Sequence, residues 1–398
     1  MTRPDLAAIV VHHRGLEHLH EGLDALAAAS AGGLTMEVLL VDNTGGAPLD
    51  DVLRRHPTIR RVAAAGNVGF AEGCRLGAEA ARAPTLLFVN DDAAVDPDAP
   101  RLLAEALAAA AADVVAIGGR LTDRSGTRND FSDGFLTFDG HAFQAEVGIP
   151  LDRVAAARPG DERLFACGGL MAVRRADFLE SGGFDPDYFA YLEDVDFGWR
   201  SWIRGRRVLA EPRAFARHRG GSTGEALGVF ARGFLIEKNA FATAFKNLDS
   251  DSFRALMPAI LAAFLQRVAE MLGARNGGSL ELSRDPYSAA ARPSRWRRLL
   301  GVSDAAASPR VTLEDPLTIA HLRALLWIHR NRERLAEKRR AVQAARRRTD
   351  AEIFAKFPLR LVPTYPGDDA FDGAFFREFL AGAPPLVRAT LAEIFPAA

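Results

Sequence analysis

The stretch Leu86–Ala99, LLFVNDDAAVDPDA, decides how this chain reads. A run with no polar residue before Asn90 has the pattern of a strand buried on both faces. It discharges into Asp91 and Asp92, adjacent carboxylates that repel unless water, cations or hydrogen-bond donors surround them. One account is a solvated turn, with Asp96 capping the next helix and Pro97 at its first position. The other is a cation site at the carboxyl edge of a sheet.

The same rhythm recurs on either side. Leu6–Val11, Glu37–Asn43, Ile59–Ala64, Thr85–Asn90 and Val114–Gly119 read as strands. Leu16–Ser30, Asp50–Pro57, Val68–Ala83 and Pro97–Ala112 read as the helices between them. Apolar strands alternating with helices predict a largely parallel sheet covered on both faces, with ligands beyond the carboxyl ends of its strands. Asp42-Asn43, Gly66-Asn67 and Asn90-Asp91-Asp92 all fall at such ends. Leu121–Glu162 loses the rhythm and reads as long loops or a small irregular sheet over that edge. After about Gly233 the pattern turns helical, with Met257, Ile260, Leu261, Phe264, Leu265, Val268, Met271 and Leu272 on one predicted stripe. A Pro/Ser/Arg-rich connector at about 275–316 precedes a long basic helix. These features divide the chain into an α/β domain over 1–235 and a helical region over 236–398.

Bulk properties exclude several classes. The 398 residues carry a formal net charge of -1, which argues against nucleic acid as a partner. Cys74 and Cys167 offer neither a metal-type spacing nor a disulfide framework, so a reducing, cytoplasmic setting is expected. The N-terminal apolar run is too short for a signal peptide, and no segment reads as long enough to span a bilayer. Neither GxGxxG after the first strand nor GxxxxGK[ST] is present, so the dinucleotide and P-loop readings lose their main support.

A nucleoside diphosphate can instead be held through a divalent cation. Asp92, with Asn90 or Asp91 beside it, supplies hard oxygen ligands for Mn2+ or Mg2+, and His218 in FARHRGGST adds an imidazole that Mn2+ accepts. YLEDVDFGWR puts Glu193, Asp194 and Asp196 within four positions. At a helix start they simply favour its dipole. As a cluster they raise one another's pKa and suit one of them to act as a base. Arg200 closes this motif, free to pair an acid or a phosphate.

In order along the chain, VDNTGG, GNVGFAEGCRLG, FVNDDAAVDPDA, GGLMAVRRADFLESGGFDPDYFAYLEDVDFGWR and ARHRGGST resemble family-2 glycosyltransferases, nearest their bacterial rhamnosyl- and galactofuranosyltransferase branch. The resemblance covers about residues 6–225 and extends weakly into EKNAFATAFKN. It implies a GT-A fold, a Rossmann-like α/β/α sandwich with a mostly α-helical C-terminal extension. Nucleotide sugar and metal would bind within 1–120, with acceptor and catalytic parts in 121–235. It implies inverting transfer to a saccharide or polyprenyl-diphosphate-linked acceptor in cell-surface polysaccharide synthesis. Asp42 and Asn43 would contact the nucleoside, with His13, Arg14 and Asn67 nearby. Asn90, Asp91 and Asp92 match the metal motif, Asp92 being the principal ligand and His218 completing the shell. Asp194 matches the base, with Glu193 as second choice. Gly168-Gly169 and the Tyr188–Tyr191 loop would admit the acceptor. Arg75 and Lys238 depart from the family pattern, which has Asn and Arg there. A sugar nucleotidyltransferase and a catalytically silent nucleotide-sugar-binding scaffold are the competing readings.

Nine Lys/Arg against two acids between Arg330 and Arg348 suggest a solvated helical face, or peripheral contact with an anionic bilayer at the inner face of the cell membrane. A homo-oligomer remains open.

Overall fold

A computed structural model describes residues 3–30, 35–46, 49–220, 222–276 and 316–394. The expected connector at 275–316 lies almost wholly outside the described residues.

The first half forms β1 (Leu6–His12), α1 (Leu16–Ser30), β2 (Met36–Asp42), α2 (Asp50–Arg55), β3 (Arg60–Ala63), α3 (Gly69–Ala80), β4 (Thr85–Asn90), β5 (Ala93–Val95), α4 (Ala99–Ala109) and β6 (Val114–Thr122). Along β1, Leu6, Ala8 and Val10 pack into one core while Ala7, Ile9 and Val11 pack into the other. The same split separates Leu87 and Val89 from Leu86 and Phe88 in β4. With a period of two, both sets can be apolar only if both faces are covered. The uninterrupted apolar runs follow from that double burial.

The irregular middle segment holds short pieces: β7 (Asn129–Phe131), β8 (Gly134–Leu136), β9 (Ala142–Gln144) and β10 (Glu162–Arg163). Then come β11 (Leu170–Arg174), α5 (Arg175–Glu180), α6 (Glu193–Ile203) and β12 (Arg207–His218). The main sheet runs β10-β12-β6-β11-β4-β1-β2-β3, with β5 on β12 and β7 on β6. It is mixed: β11 is antiparallel to both β4 and β6. This is the GT-A fold.

One helix boundary differs from the sequence reading. Asp98, not Asp96, precedes α4, with Pro100 in its first turn. The amide of Asp96 is drawn away to the Phe215 carbonyl at 2.9 Å, and its carboxylate accepts the Asp98 N–H at 3.0 Å. Pairing of β5 with β12 thus delays the helix.

The second half is α7 (Ser222–Asn247), kinked at Gly228, and α8 (Ser250–Asn276), then α9 (Pro316–Arg330), α10 (Arg332–Ala344) and α11 (Asp350–Lys356). The expected long basic helix is therefore three helices. A capping box between Thr349 and Glu352 starts the last of them. The stripe on α8 is also shifted. Leu256, Ala259, Ile260, Ala263 and Met271 are buried, whereas Leu261 and Leu265 face outward. Contrary to the sequence reading, Ser250–Leu272 is long and apolar enough to cross a membrane, with mean hydropathy 1.5. In the fold its Arg267 is instead buried against Asp139 at 2.8 Å and Asp368 at 2.6 Å. Residues of α8, α10 and α11 share the core of the main sheet, and α7 runs across position 235 without a break.

Candidate functional site

The carboxyl ends of β1, β2 and β4, together with the parallel end of β12, bring the polar residues to one edge. Asn90 ends β4 and His218 ends β12. His218 Nε2 lies 3.0 Å from Asp92 Oδ1 and 3.1 Å from the Asn90 amide. On its other nitrogen, Nδ1 lies 2.6 Å from Asp130 Oδ2. Burial acts to lower the His218 pKa, but hydrogen bonds and charge from Asp130 and Asp92 outweigh it and lift it to about 10.

Among the described residues, no group of three or more His, Cys, Asp or Glu is disposed to hold a metal ion by itself. The geometry explains this, because Asp130 occupies the far nitrogen and cannot share an ion with Asp92. Its position is that of a carboxylate that orients a metal-binding imidazole. Asp92, Asn90 and His218 therefore form a partial shell of oxygen and imidazole donors, suited to a Mn2+ or Mg2+ ion that takes its remaining ligands from phosphates and water. A shallow cleft beside Asp92 is lined by Arg124, Arg217 and Arg219 and by Glu21, which lies 3.6 Å from Arg124.

The expected nucleoside side is a closed network. Asn43 is buried, and its Oδ1 accepts the Val68 N–H at 2.7 Å while its amide donates to Asn67 Oδ1 at 3.0 Å. His13 Nδ1 lies 2.9 Å from the Asn43 carbonyl and its Nε2 lies 3.2 Å from the Asn67 amide. Asp42 is buried, accepting from Thr44 at 2.7 Å and Arg61 at 2.9 Å. Burial works against its ionisation, yet these donors hold its pKa below the usual carboxylate range. Arg14 is exposed at the start of the same loop. Asp91 turns inward to His12, whose Nδ1 lies 2.7 Å from Asp91 Oδ2.

The expected base sits in the first turn of α6. Asp194 Oδ2 accepts the Gly168 N–H at 2.9 Å and its Oδ1 accepts the Val195 N–H at 2.8 Å. Burial raises its pKa, and these two N–H donors only partly offset that. Glu193 is more extreme. Burial, then the charge of Asp194, lifts its pKa well above the ordinary value, and its Oε2 has no hydrogen-bond partner among the described residues. Gly168-Gly169 bridges the two halves of the site, since the Asn90 N–H donates to the Gly169 carbonyl at 3.2 Å. A Cβ on Gly169 would lie 3.0 Å from the Asn90 amide nitrogen, so glycine lets the loop approach this closely.

The turn leading into α6 is strained. Phe189, Tyr191 and Leu192 have φ of 65°, 69° and 65°. Left-handed backbone at such bulky residues costs on the order of 1–3 kcal/mol each and persists only where surrounding structure enforces it.

Two sequence expectations are corrected. Arg200 does not face a phosphate: it is buried, donates to Asp196 at 2.7 Å and caps the carbonyls of Ser181 and Gly183 at 3.1 and 2.6 Å. Asp196 likewise leaves the acid cluster. It is fully buried, and the charges of Arg200 and Lys246 overcome its burial and hold its pKa down. Sequence reasoning missed His12, Asp130, Arg217 and Arg219. A histidine ending an otherwise apolar strand and the arginines flanking His218 were available signals, but nothing local marked Asp130. Of the two departures, Arg75 is tied to Glu72 and Glu79 along α3, and Lys238 donates to the Asp187 carbonyl at 2.6 Å.

Residues 7–182 match the model of the family Glycosyl transferase family 2. The match takes in 176 of the 398 residues. Curated relatives include polypeptide N-acetylgalactosaminyltransferase 10 of Rattus norvegicus and of Mus musculus, each 25% identical over 229 residues. The human protein of the same name is 24% identical. The alignments take in 54% of this chain, which spans only 38% of the length of these relatives. Among solved structures, GalNAc-T7 with UDP, GalNAc and Mn2+ is similar at TM-score 0.49 and 16% identity, over 66% of this chain and 52% of that one. A mannosyltransferase of Pyrobaculum calidifontis, in complex with GDP-Man and Mn2+, is similar at TM-score 0.45 and 16% identity, over 82% and 87%.

Proposed function

We propose that this chain transfers a sugar, with inversion, from a nucleoside-diphosphate sugar to a hydroxyl of a saccharide or polyprenyl-diphosphate-linked acceptor. The observation that carries this reading is the joining of two unlike carboxylate sites by Gly168-Gly169. On one side is the Asn90–Asp92–His218 cluster, and on the other a buried, proton-hungry Glu193–Asp194 pair.

Asp92 and His218, with Asn90 beside them, would hold a divalent cation, which when bound neutralises charge developing on the leaving diphosphate. Arg217 and Arg219 offer further positive charge at the same edge. Asn43, Asn67 and His13 shape the nucleoside pocket, and Asp42 fixes its floor through Arg61. Asp194 takes the proton from the acceptor hydroxyl, its raised pKa making it a better base than an exposed carboxylate. Attack from the face opposite the diphosphate inverts the anomeric carbon. The expected settings are cell-surface polysaccharide synthesis, the rhamnosyl- or galactofuranosyltransferase branch and the cytoplasmic face of the membrane. Membrane contact would run through the outward basic residues Arg330, Arg332, Arg340 and Arg347.

The test is to incubate the protein with UDP-, GDP- and dTDP-sugars with and without Mn2+. Cation-dependent release of nucleoside diphosphate is the expected result. Release of inorganic diphosphate would instead point to a nucleotidyltransferase. Binding without any release would point to a silent scaffold.

A further inference from the structure

The left-handed turn before α6 is not held by the α/β domain alone. It is held by α7, downstream of the family match. Asn239 is buried, and the two N–H groups of its amide are shared among the carbonyls of Tyr188 at 3.1 Å, Ala190 at 2.9 Å and Tyr191 at 2.7 Å. The acceptor carbonyls belong to, or adjoin, the residues with positive φ. Asn239 is itself oriented by Lys238, whose Nζ donates to Asn239 Oδ1 at 2.5 Å and to the Asp187 carbonyl at 2.6 Å. The Trp327 ring of α9 covers Lys238 at 4.7 Å. Eight residues on, about two helical turns, the pair repeats: Lys246 meets Asp185 at 2.6 Å and Asn247 donates to Asp196 at 3.1 Å. One face of α7 thus grips the segment 185–196 at both ends.

We infer that Asn239, seated by Lys238, is a positioning residue for the Glu193–Asp194 pair. It fixes the strained turn at 189–192 and so aims the first turn of α6 at the reacting centre. This rests on the reading of Asp194 as base. The turn also touches the first turn of α3, just after Asn67, because the Ala71 N–H donates to the Phe189 carbonyl at 3.2 Å. A left-handed backbone at three bulky residues relaxes when its carbonyls lose their common donor. Relaxation turns the carboxylates away and admits water.

Asn239→Asp keeps the shape and removes both N–H donors. It should lower kcat by about 100-fold, the cost of misplacing a reacting group by roughly 1 Å, with the donor KM changed far less. Exposure to water should also move the acid limb of the pH–rate profile downward, because burial is the main cause of the raised pKa at Glu193 and Asp194. Amide hydrogen exchange over 188–194 should speed up, a readout that needs no turnover. Lys238→Met should act in the same direction more weakly, and Lys238→Arg, which keeps a donor, should restore wild-type exchange. These milder variants carry the test if Asn239→Asp does not fold. Unchanged exchange over 188–194 together with kcat within about twofold overturns the inference. Asp194→Asn, run alongside, separates the two claims. Full turnover in that variant breaks the assignment of the base, while the exchange data still report on the clamp.

Discussion

Asp194 and Asp196 lie two residues apart in one helical turn, and burial treats them in opposite ways. Asp196 faces the core, where Arg200 at 2.7 Å and Lys246 at 3.1 Å hold it ionised. Asp194 faces the sheet edge, where among the described residues backbone N–H groups alone hydrogen-bond to it and its pKa rises. The difference shows that burial alone does not decide a carboxylate's charge; whether the fold supplies a cation does.

The sharpest way to break this contrast is to remove each acid in turn. Asp196→Ala should destabilise the protein by about 3–5 kcal/mol, because Arg200 is left buried without its acid, while Lys246 keeps Asp185. Denaturant titration measures that loss, and transfer by the molecules still folded should persist. Asp194→Asn should do the reverse, cutting transfer by roughly 100-fold or more with a much smaller loss of stability, because the amide keeps one of the two N–H bonds the carboxylate accepts. If both variants proved equally unstable, the distinction would collapse.

Glu193 sharpens it further. Its folded pKa lies above its unfolded value, so the native state binds the extra proton and stability falls as pH rises through that window. Glu193→Gln should therefore melt higher than wild type at pH 8 and at the same temperature near pH 4. A melting-temperature difference independent of pH would remove the basis for a strained carboxylate here.

A smaller effect concerns the basic helices, where the same division between paired and unpaired charge applies. Arg334 and Lys338 meet Asp187, and Arg339 donates to the Leu248 carbonyl at 2.8 Å. Arg346 pairs with Asp350 at 3.0 Å, and Arg348 donates to the Arg206 carbonyl at 3.0 Å. Reversing the outward set Arg330, Arg332, Arg340 and Arg347, of which Arg332 pairs with the exposed Glu333 beside it at 3.3 Å, should change stability by no more than about 0.5 kcal/mol per site. If these residues meet anionic lipid, each contributes on the order of 1 kcal/mol, and reversal should release the protein from phosphatidylserine vesicles at low salt. Co-sedimentation that is the same for wild type and variant would leave the helices with a purely internal role.

The pattern of apolar strands was legible because double burial forces it, and so were the strand-end polar clusters. The order of strands was not. Nothing local announces that β11 inserts antiparallel between β4 and β6, since strand polarity is set by where the chain returns. Within the site, Asn90, Asp92, His218 and Asp194 carried local signatures. Asp130 and Asn239 did not, because their meaning lies in partners 88 and 48–51 residues away. Arg200 misled for the converse reason: a guanidinium beside three acids looks available, yet its partner is one helical turn away inside the core.

The position of β12 in the sheet bears on how the chain folds during synthesis. Strand β6 is complete at Thr122, but its parallel neighbour ends only at His218, and 96 residues separate the two. At a ribosomal rate of about 5–20 residues per second, that edge of β6 waits roughly 5–20 s for its partner. Meanwhile an apolar strand presents unpaired backbone to any other strand it meets. The half-sheet β3-β2-β1-β4, drawn from residues 6–90, can close early and alone. The half that carries His218 cannot. Yield at high expression should accordingly be limited by chains stalled between these two stages, and slower translation or a holding chaperone should recover them.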